Sequence, residues 1–398
     1  MLLRYTKKYL FVGIFIFSLL VFFAHTAFTK TAIFADGRYY YAITRSLVKD
    51  YDIDFVNEYI SLGMVEDDFT GPAENIYPPG VSFFWAPLFW TVDSLINSIN
   101  ISLRISIDDT GFNLLYQSAV AITSTFLGTL GLYLVYVLLK DYFSEKVSLY
   151  TTFAFFATTN LLFYIAVEPI NSHAVSFFVS SLFIYYFLRH QKDQHYYFTL
   201  GVIGGVAGLV RTQDLLILII PAIRIIKEHK LNLTKLITNL KPLSAGVILG
   251  FLPQLVFWKA IFGNFWYSPY FGYSLNFLKP KFFHVLFNTD NGLFTLTPAI
   301  LIAVLGLLLF RKRGSQIFLY ATVYFLLQLY LITSWQYYSQ GGSFSIRMMI
   351  TTYPLLSFGL ASVIKKSNEN FGEIKTLFLI FFFSILNSAF IIRYLLIF

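Results

Sequence analysis

Long apolar runs separated by short polar stretches dominate the chain. The first, residues 10–28, has nineteen residues and no formal charge, enough to cross a hydrocarbon core of roughly 30 Å at about 1.5 Å per residue. Comparable runs cover residues 112–139, 147–167, 174–188, 243–261, 292–310, 316–333, 348–364 and 376–398. Residues 197–226 are interrupted by Arg211 and Asp214 and fit two short helices meeting at a polar corner. The pattern predicts an all-α polytopic membrane protein of about eleven transmembrane helices, one domain over residues 1–398 with no separate soluble part. Between the first two runs, residues 29–111 form one large loop with two amphipathic stretches. In the first, which opens at Asp36, Tyr39, Tyr40, Ile43 and Leu47 fall at helical spacing on one face. The second, residues 81–99, follows Tyr77-Pro78-Pro79-Gly80 and carries Phe83, Phe84, Trp85, Phe89 and Trp90, aromatics that suit a membrane interface.

Composition agrees with this reading. Of 398 residues, 57% are apolar and 13% charged, against roughly 45–50% and 25% in soluble domains. There is no cysteine, which excludes disulfides, thiol nucleophiles and cysteine zinc sites. The net charge of +8 would suit nucleic acid only if gathered on one soluble face, and it is not. With the N-terminus inside and the spans alternating, the inner segments hold 18 of the 29 basic and six of the 21 acidic residues. The positive-inside rule supports that orientation. It requires residues 197–226 to form a hairpin, because a single crossing would put the basic stretches after it outside. Basic residues before the first run also fit a signal peptide, but the run is longer than a usual signal core, so a retained span is expected. The large loop then faces outward and holds twelve of the 21 acidic residues.

Candidate chemistry lies on that outer side. Asp36 begins a predicted helix, where a carboxylate serves as an N-cap or as a base that takes a proton from an incoming hydroxyl. Glu168 with His173, Arg211 with Asp214, Asp290, and the stretch from Trp335 to Arg347 stand at the same ends of other spans. Charges beside spans mark polar cavities or ligand paths. Each also has a plainer role: Glu168 ends a span, His173 caps a helix, Arg347 reaches for the interface. His190, His195 and His229 lack metal-ligand spacing, Asn232-Leu233-Thr234 sits in a predicted inner loop, and no P-loop is present.

One span followed by an outer loop that opens Asp36-Gly37-x-Tyr39-Tyr40 and continues Arg45-Ser46-Leu47 resembles the GT-C membrane glycosyltransferases. Within them it is most similar to relatives of the protein O-mannosyltransferases and the lipid A aminoarabinose transferase. Ser172-His173-Ala174, Gly208-Leu209-Val210-Arg211-Thr212-Gln213, Asn291-Gly292-Leu293-Phe294 with Thr297-Pro298, and Gly342-Ser343-Phe344-Ser345-x-Arg347 extend the likeness along the chain. The resemblance implies a polyprenyl-phosphate sugar donor and a hydroxyl acceptor on a lipid, glycan or protein. It also implies an active site on the outer face of the plasma (inner) membrane. By the same resemblance Asp36 is the inverting base, Arg211 and Arg347 hold donor phosphate, and His173 binds phosphate or orients the acceptor. Tyr39, Tyr40, Arg45, Glu168, Asp214 and Asp290 complete the expected substrate-binding set. The second carboxylate of the family's paired acidic motif is not adjacent, the nearest in sequence being Asp50, which leaves a divalent metal without support. A transporter or flippase of a lipid-linked or small solute is the alternative, favoured by intramembrane Arg211 and proline-interrupted helices. Against it stand the absence of an internal repeat and the one-sided placement of the polar residues.

Overall fold

A computed structural model describes residues 2–66, 68, 71, 73–190, 194–230, 232–267 and 275–397. Asp67, Lys192, Asp193 and Phe398, which entered the charge partition or the last run, lie outside the described residues. All named elements are helical. α1 (Leu2–Thr29) leads into the loop region, which holds α2 (Gly37–Arg45), α3 (Val56–Ser61) and α4 (Gly80–Leu103). The bundle continues with α5 (Leu114–Leu139), α6 (Glu145–Thr158), α7 (Ser172–Arg189), α8 (Gln194–Val210), α9 (Ile219–His229) and α10 (Leu233–Phe262). Short α11 (Phe282–Phe287) and α12 (Leu293–Leu296) precede α13 (Pro298–Phe310), α14 (Ser315–Ser334), α15 (Tyr353–Phe371) and α16 (Glu373–Ile397).

Six stretches among the described residues are long and apolar enough to cross a membrane: Tyr9–Thr29, Leu114–Leu139, Leu233–Phe262, Ser315–Ser334, Arg347–Phe371 and Glu373–Ile397. His195–Val210 and Pro298–Phe310 are shorter apolar helices. The chain thus has several helices fit to span a membrane, and the expected count of eleven is not confirmed. The run at residues 147–167 breaks after α6, where the Thr158 and Thr159 hydroxyls bond back to the carbonyls of Ala154 (2.7 Å) and Phe155 (2.6 Å). Asn387 of α16 donates to the carbonyls of Ala157 (3.1 Å) and Thr159 (2.9 Å), so the broken end stays satisfied where water is scarce. The run resumes as a π turn, Phe163–Val167. Residues 197–226 divide into α8 and α9 around a 3-10 turn, Thr212–Leu218.

α8 and α10 cross at backbone contact. A methyl group on Gly201 would lie 2.1 Å from the Leu243 carbonyl oxygen, and one on Gly246 would lie 2.1 Å from that of Phe198. Only hydrogen fits at these two positions, and dispersion between the close helices holds the pair, as in small-residue membrane interfaces. The Asn232 side chain accepts the Lys235 N–H at 3.2 Å and starts α10, which gives that part of the Asn232-Leu233-Thr234 pattern a structural role.

The amphipathic stretch from Asp36 is helical but changes register. Tyr40 and Ile43 are buried as the spacing predicts, whereas Leu47 is exposed, because α2 widens into a π turn at Ser46–Asp50. In α4, Trp85 and Phe89 are buried and Phe83 and Trp90 exposed, so its aromatics divide between core and surface.

Candidate functional site

Two glycines bring the cavity walls together. A Cβ on Gly37 would lie 2.2 Å from the carbonyl oxygen of Ile170; its absence lets the start of α2 touch the segment carrying Glu168 and His173. A Cβ on Gly80 would lie 2.3 Å from the Leu209 carbonyl oxygen. The start of α4 can therefore rest on the end of α8, placing Tyr77 and Pro78 beside Arg211. Between them opens a cavity of about 670 Å³ whose polar lining includes Asp36, Tyr40, Tyr77, Arg211, Gln340 and Arg347. Leu331, Ile332, Trp335 and Met348 line a more apolar part.

Asp36 stands at the N-cap position of α2 in αR conformation, yet its side chain makes no cap hydrogen bond. The carboxylate turns into the cavity instead. Its Oδ1 accepts the Tyr77 hydroxyl at 2.9 Å, and its Oδ2 is 2.6 Å from Arg347 Nη2. Burial and the Asp36 charge push the Tyr77 hydroxyl above its usual range, so it remains protonated and donates. Tyr39 stacks on Tyr77 at 4.7 Å between ring centroids, and Asn75 Nδ2 donates to the Tyr39 carbonyl at 3.0 Å. The Asp36 carboxylate is thus fixed from behind by a packed aromatic pair.

Arg211 leaves the end of α8 in extended conformation. Its Nη1 donates to Ser172 Oγ at 2.9 Å and lies 3.3 Å from His173 Nδ1. The Nε–H groups of Arg211 and Arg347 are both buried without a partner. Unmade charge-assisted hydrogen bonds are expensive, and two of them on residues bordering one cavity prepare it for an anion. Glu168, just after the π turn, interacts electrostatically with Arg347 and Asp36; burial above all, with the Asp36 charge adding and Arg347 opposing, lifts its carboxyl to about 7.

The structure therefore gathers Asp36, Tyr40, Arg211 and Arg347 on one cavity. Tyr39, Glu168 and His173 support it from behind, as does Asp214, which is buried and accepts the Ser176 hydroxyl at 2.5 Å. Two expected residues lie elsewhere. Arg45 is turned inward against Glu58 at 2.5 Å and also pairs with Asp50, while its Nε donates to the Thr110 carbonyl at 2.8 Å. Asp290 is exposed, accepts the Thr289 hydroxyl at 3.3 Å and does not line the cavity. Tyr77 and Gln340 were not singled out from sequence. The Pro78-Pro79 pair that pins the Tyr77 loop and the Gly341-Gly342 pair after Gln340 were the available signals. Among the described residues no group of three or more His, Cys, Asp or Glu side chains could hold a metal ion.

Fold and site together define a polytopic membrane protein with an acid–guanidinium cavity at the ends of its helices. No family model matches the sequence, and no curated protein matches it. Among solved structures, the chain is similar to the Archaeoglobus fulgidus oligosaccharyltransferase, a crystal structure of its complex with Zn and sulfate. The TM-score is 0.51 at 12% identity, over 96% of this chain and 52% of that one. The likeness is one of fold, and the chain spans about half the length of the protein it matches.

Proposed function

We propose that the protein is a membrane glycosyltransferase that moves a sugar from a polyprenyl-phosphate donor to a hydroxyl acceptor on the outer face of the membrane. The observation that carries this reading is the Asp36 carboxylate, aimed into the cavity by Tyr77 and Arg347 while its helix goes uncapped. A carboxylate there serves as a base, and the two guanidiniums beside it serve a leaving phosphate. The fold shared with an oligosaccharyltransferase is consistent with this chemistry, and so are the motifs that resemble GT-C enzymes.

In the proposed reaction the acceptor hydroxyl gives its proton to Asp36 as its oxygen bonds to the anomeric carbon. The bond from that carbon to the phosphate oxygen breaks, and its electron pair leaves with the lipid phosphate. Attack opposite the leaving group inverts the configuration. Asp36 contributes as a general base by roughly 10²–10⁴-fold. Arg211 and Arg347 take up the charge that develops on the phosphate, a preorganised contribution that water would have to reorganise to match.

Asp36→Asn keeps the shape and removes the base. It is expected to abolish transfer from polyprenyl-phosphate sugars in proteoliposomes while leaving membrane insertion unchanged. Normal turnover by this variant removes Asp36 from the mechanism, and gradient-driven solute movement without release of lipid phosphate would favour a transporter.

A further inference from the structure

The loop from Trp335 to Ile346 borders the cavity and is fastened on both sides. Asn291 Nδ2 donates to the Ser339 carbonyl and the Tyr394 hydroxyl to that of Gly342, while Phe344 and Ile346 are fully buried. Within this anchored loop Gln340 holds φ at 58°, a left-handed conformation that a residue with a Cβ adopts only when its surroundings impose it. The conformation places Gln340 on the cavity lining with 5% exposure. Its Oε1 accepts the Met348 N–H at 3.4 Å, which orients the amide: reversed, two N–H groups would face each other. Nε2 is thereby the free end, and it is buried without a partner.

The geometry points to Gln340 as a specificity-determining residue whose Nε2 donates a hydrogen bond to one hydroxyl of the transferred sugar. This rests on the transfer reading above. The cavity already has two guanidiniums for an anion, so an additional neutral donor matches a neutral oxygen better than a phosphate. Gln340 is tied to Met348, the residue next to Arg347, whose Nη2 meets Asp36. A sugar whose anomeric carbon lies between Asp36 and a phosphate on the guanidiniums has its ring against that wall. Tyr77 and Tyr40 line the cavity beside Asp36.

The test compares wild type, Gln340→Leu and Gln340→Gly in proteoliposomes, using polyprenyl-phosphate hexoses and counterparts each lacking one hydroxyl. The glycine variant relieves the left-handed backbone, so its losses report the side chain and not strain. Wild type is expected to favour the complete sugar over one particular deoxy counterpart by about tenfold in kcat/KM, the worth of a hydrogen bond between neutral groups. Both variants should lose that preference by losing about tenfold on the complete sugar and on every counterpart that keeps this hydroxyl, while turning over the counterpart that lacks it as wild type does. A uniform loss over all donors, or an unchanged preference, overturns the assignment of Gln340 and leaves the transfer reading standing. A wild-type protein inert towards every such donor overturns both.

Discussion

On the proposed transfer reaction, replacing Arg211 and Arg347 by alanine in turn separates phosphate binding from control of the base. Each guanidinium has one Nε–H without a partner, and a phosphate oxygen accepting it gains a charge-assisted bond without breaking an existing one. Such a bond contributes about 1.5–3 kcal/mol, or roughly 10–150-fold in donor Kd. Arg211→Ala is expected to weaken donor binding by that factor and to leave the single-turnover rate of bound donor within severalfold of wild type, because its other contacts are to Ser172 and His173. Arg347→Ala should weaken donor binding similarly, and more than acceptor binding. It also removes the cation 2.6 Å from Asp36 Oδ2, a pair whose side chains are only 14% and 23% exposed. A base freed to shift by an ångström costs up to about 10²-fold, so the single-turnover rate should fall only in this variant. In an Asp36→Asn background, the effect of Arg347→Ala on donor Kd should persist, because binding the phosphate does not need the carboxylate. Donor titration and rapid-quench turnover in proteoliposomes provide both readouts. Equal rates in the two variants refute the coupling, and an unchanged donor Kd in both refutes the phosphate site.

Tyr77→Phe removes the hydroxyl that donates to Asp36 and keeps the ring that stacks on Tyr39; kcat should drop about 10-fold or more with donor Kd steady. Glu168 is raised from its ordinary 4.5 to about 7 by burial, so the folded state holds its proton more tightly than the unfolded chain. Its stabilising contribution is full below about 4.5 and is lost as pH rises through about 7; melting temperature should decline across that window in wild type and decline less in Glu168→Gln. Gly201→Ala forces a methyl group to 2.1 Å from the Leu243 carbonyl and should destabilise the α8–α10 pair by about 1–3 kcal/mol, lowering the melting temperature in detergent.

Local signals carried much of the architecture. Hydropathy locates α5, α14, α16 and the end of α1 to within a few residues, because a helix that crosses hydrocarbon must be apolar along its length. It misses a break where the run lies inside the bundle. Thr158, Thr159 and Asn160 are too small and too neutral to interrupt an apolar average, and what ends α6 cleanly is Asn387, contributed from the last helix. The site was legible in kind and only partly in membership. Arg45 shares a helix with Asp36 and looked equally available, but the π turn at Ser46–Asp50 and the burial of Glu58 turn it inward. Glu168, far from Asp36 in sequence, comes within electrostatic reach of it, because the start of α2 touches the Ile170 backbone at Gly37. No spacing rule reveals such a meeting.

The broken spans and the cavity have one cause. Asp36 precedes α2, Glu168 follows a π turn, Arg211 follows α8, and Arg347 opens a 3-10 turn. Every charged group of the site thus comes from a place where a helix stops. A helix end leaves backbone donors and acceptors unsatisfied, and within hydrocarbon this is tolerated only where protein or a water-filled cavity can satisfy them. Gathering the ends around one polar cavity meets that requirement and supplies polar surroundings for carboxylates and guanidiniums that the bilayer would exclude. Asp36 shows the arrangement at one residue. The first turn of α2 goes without its usual side-chain cap, and the carboxylate that would have capped it is available to the cavity.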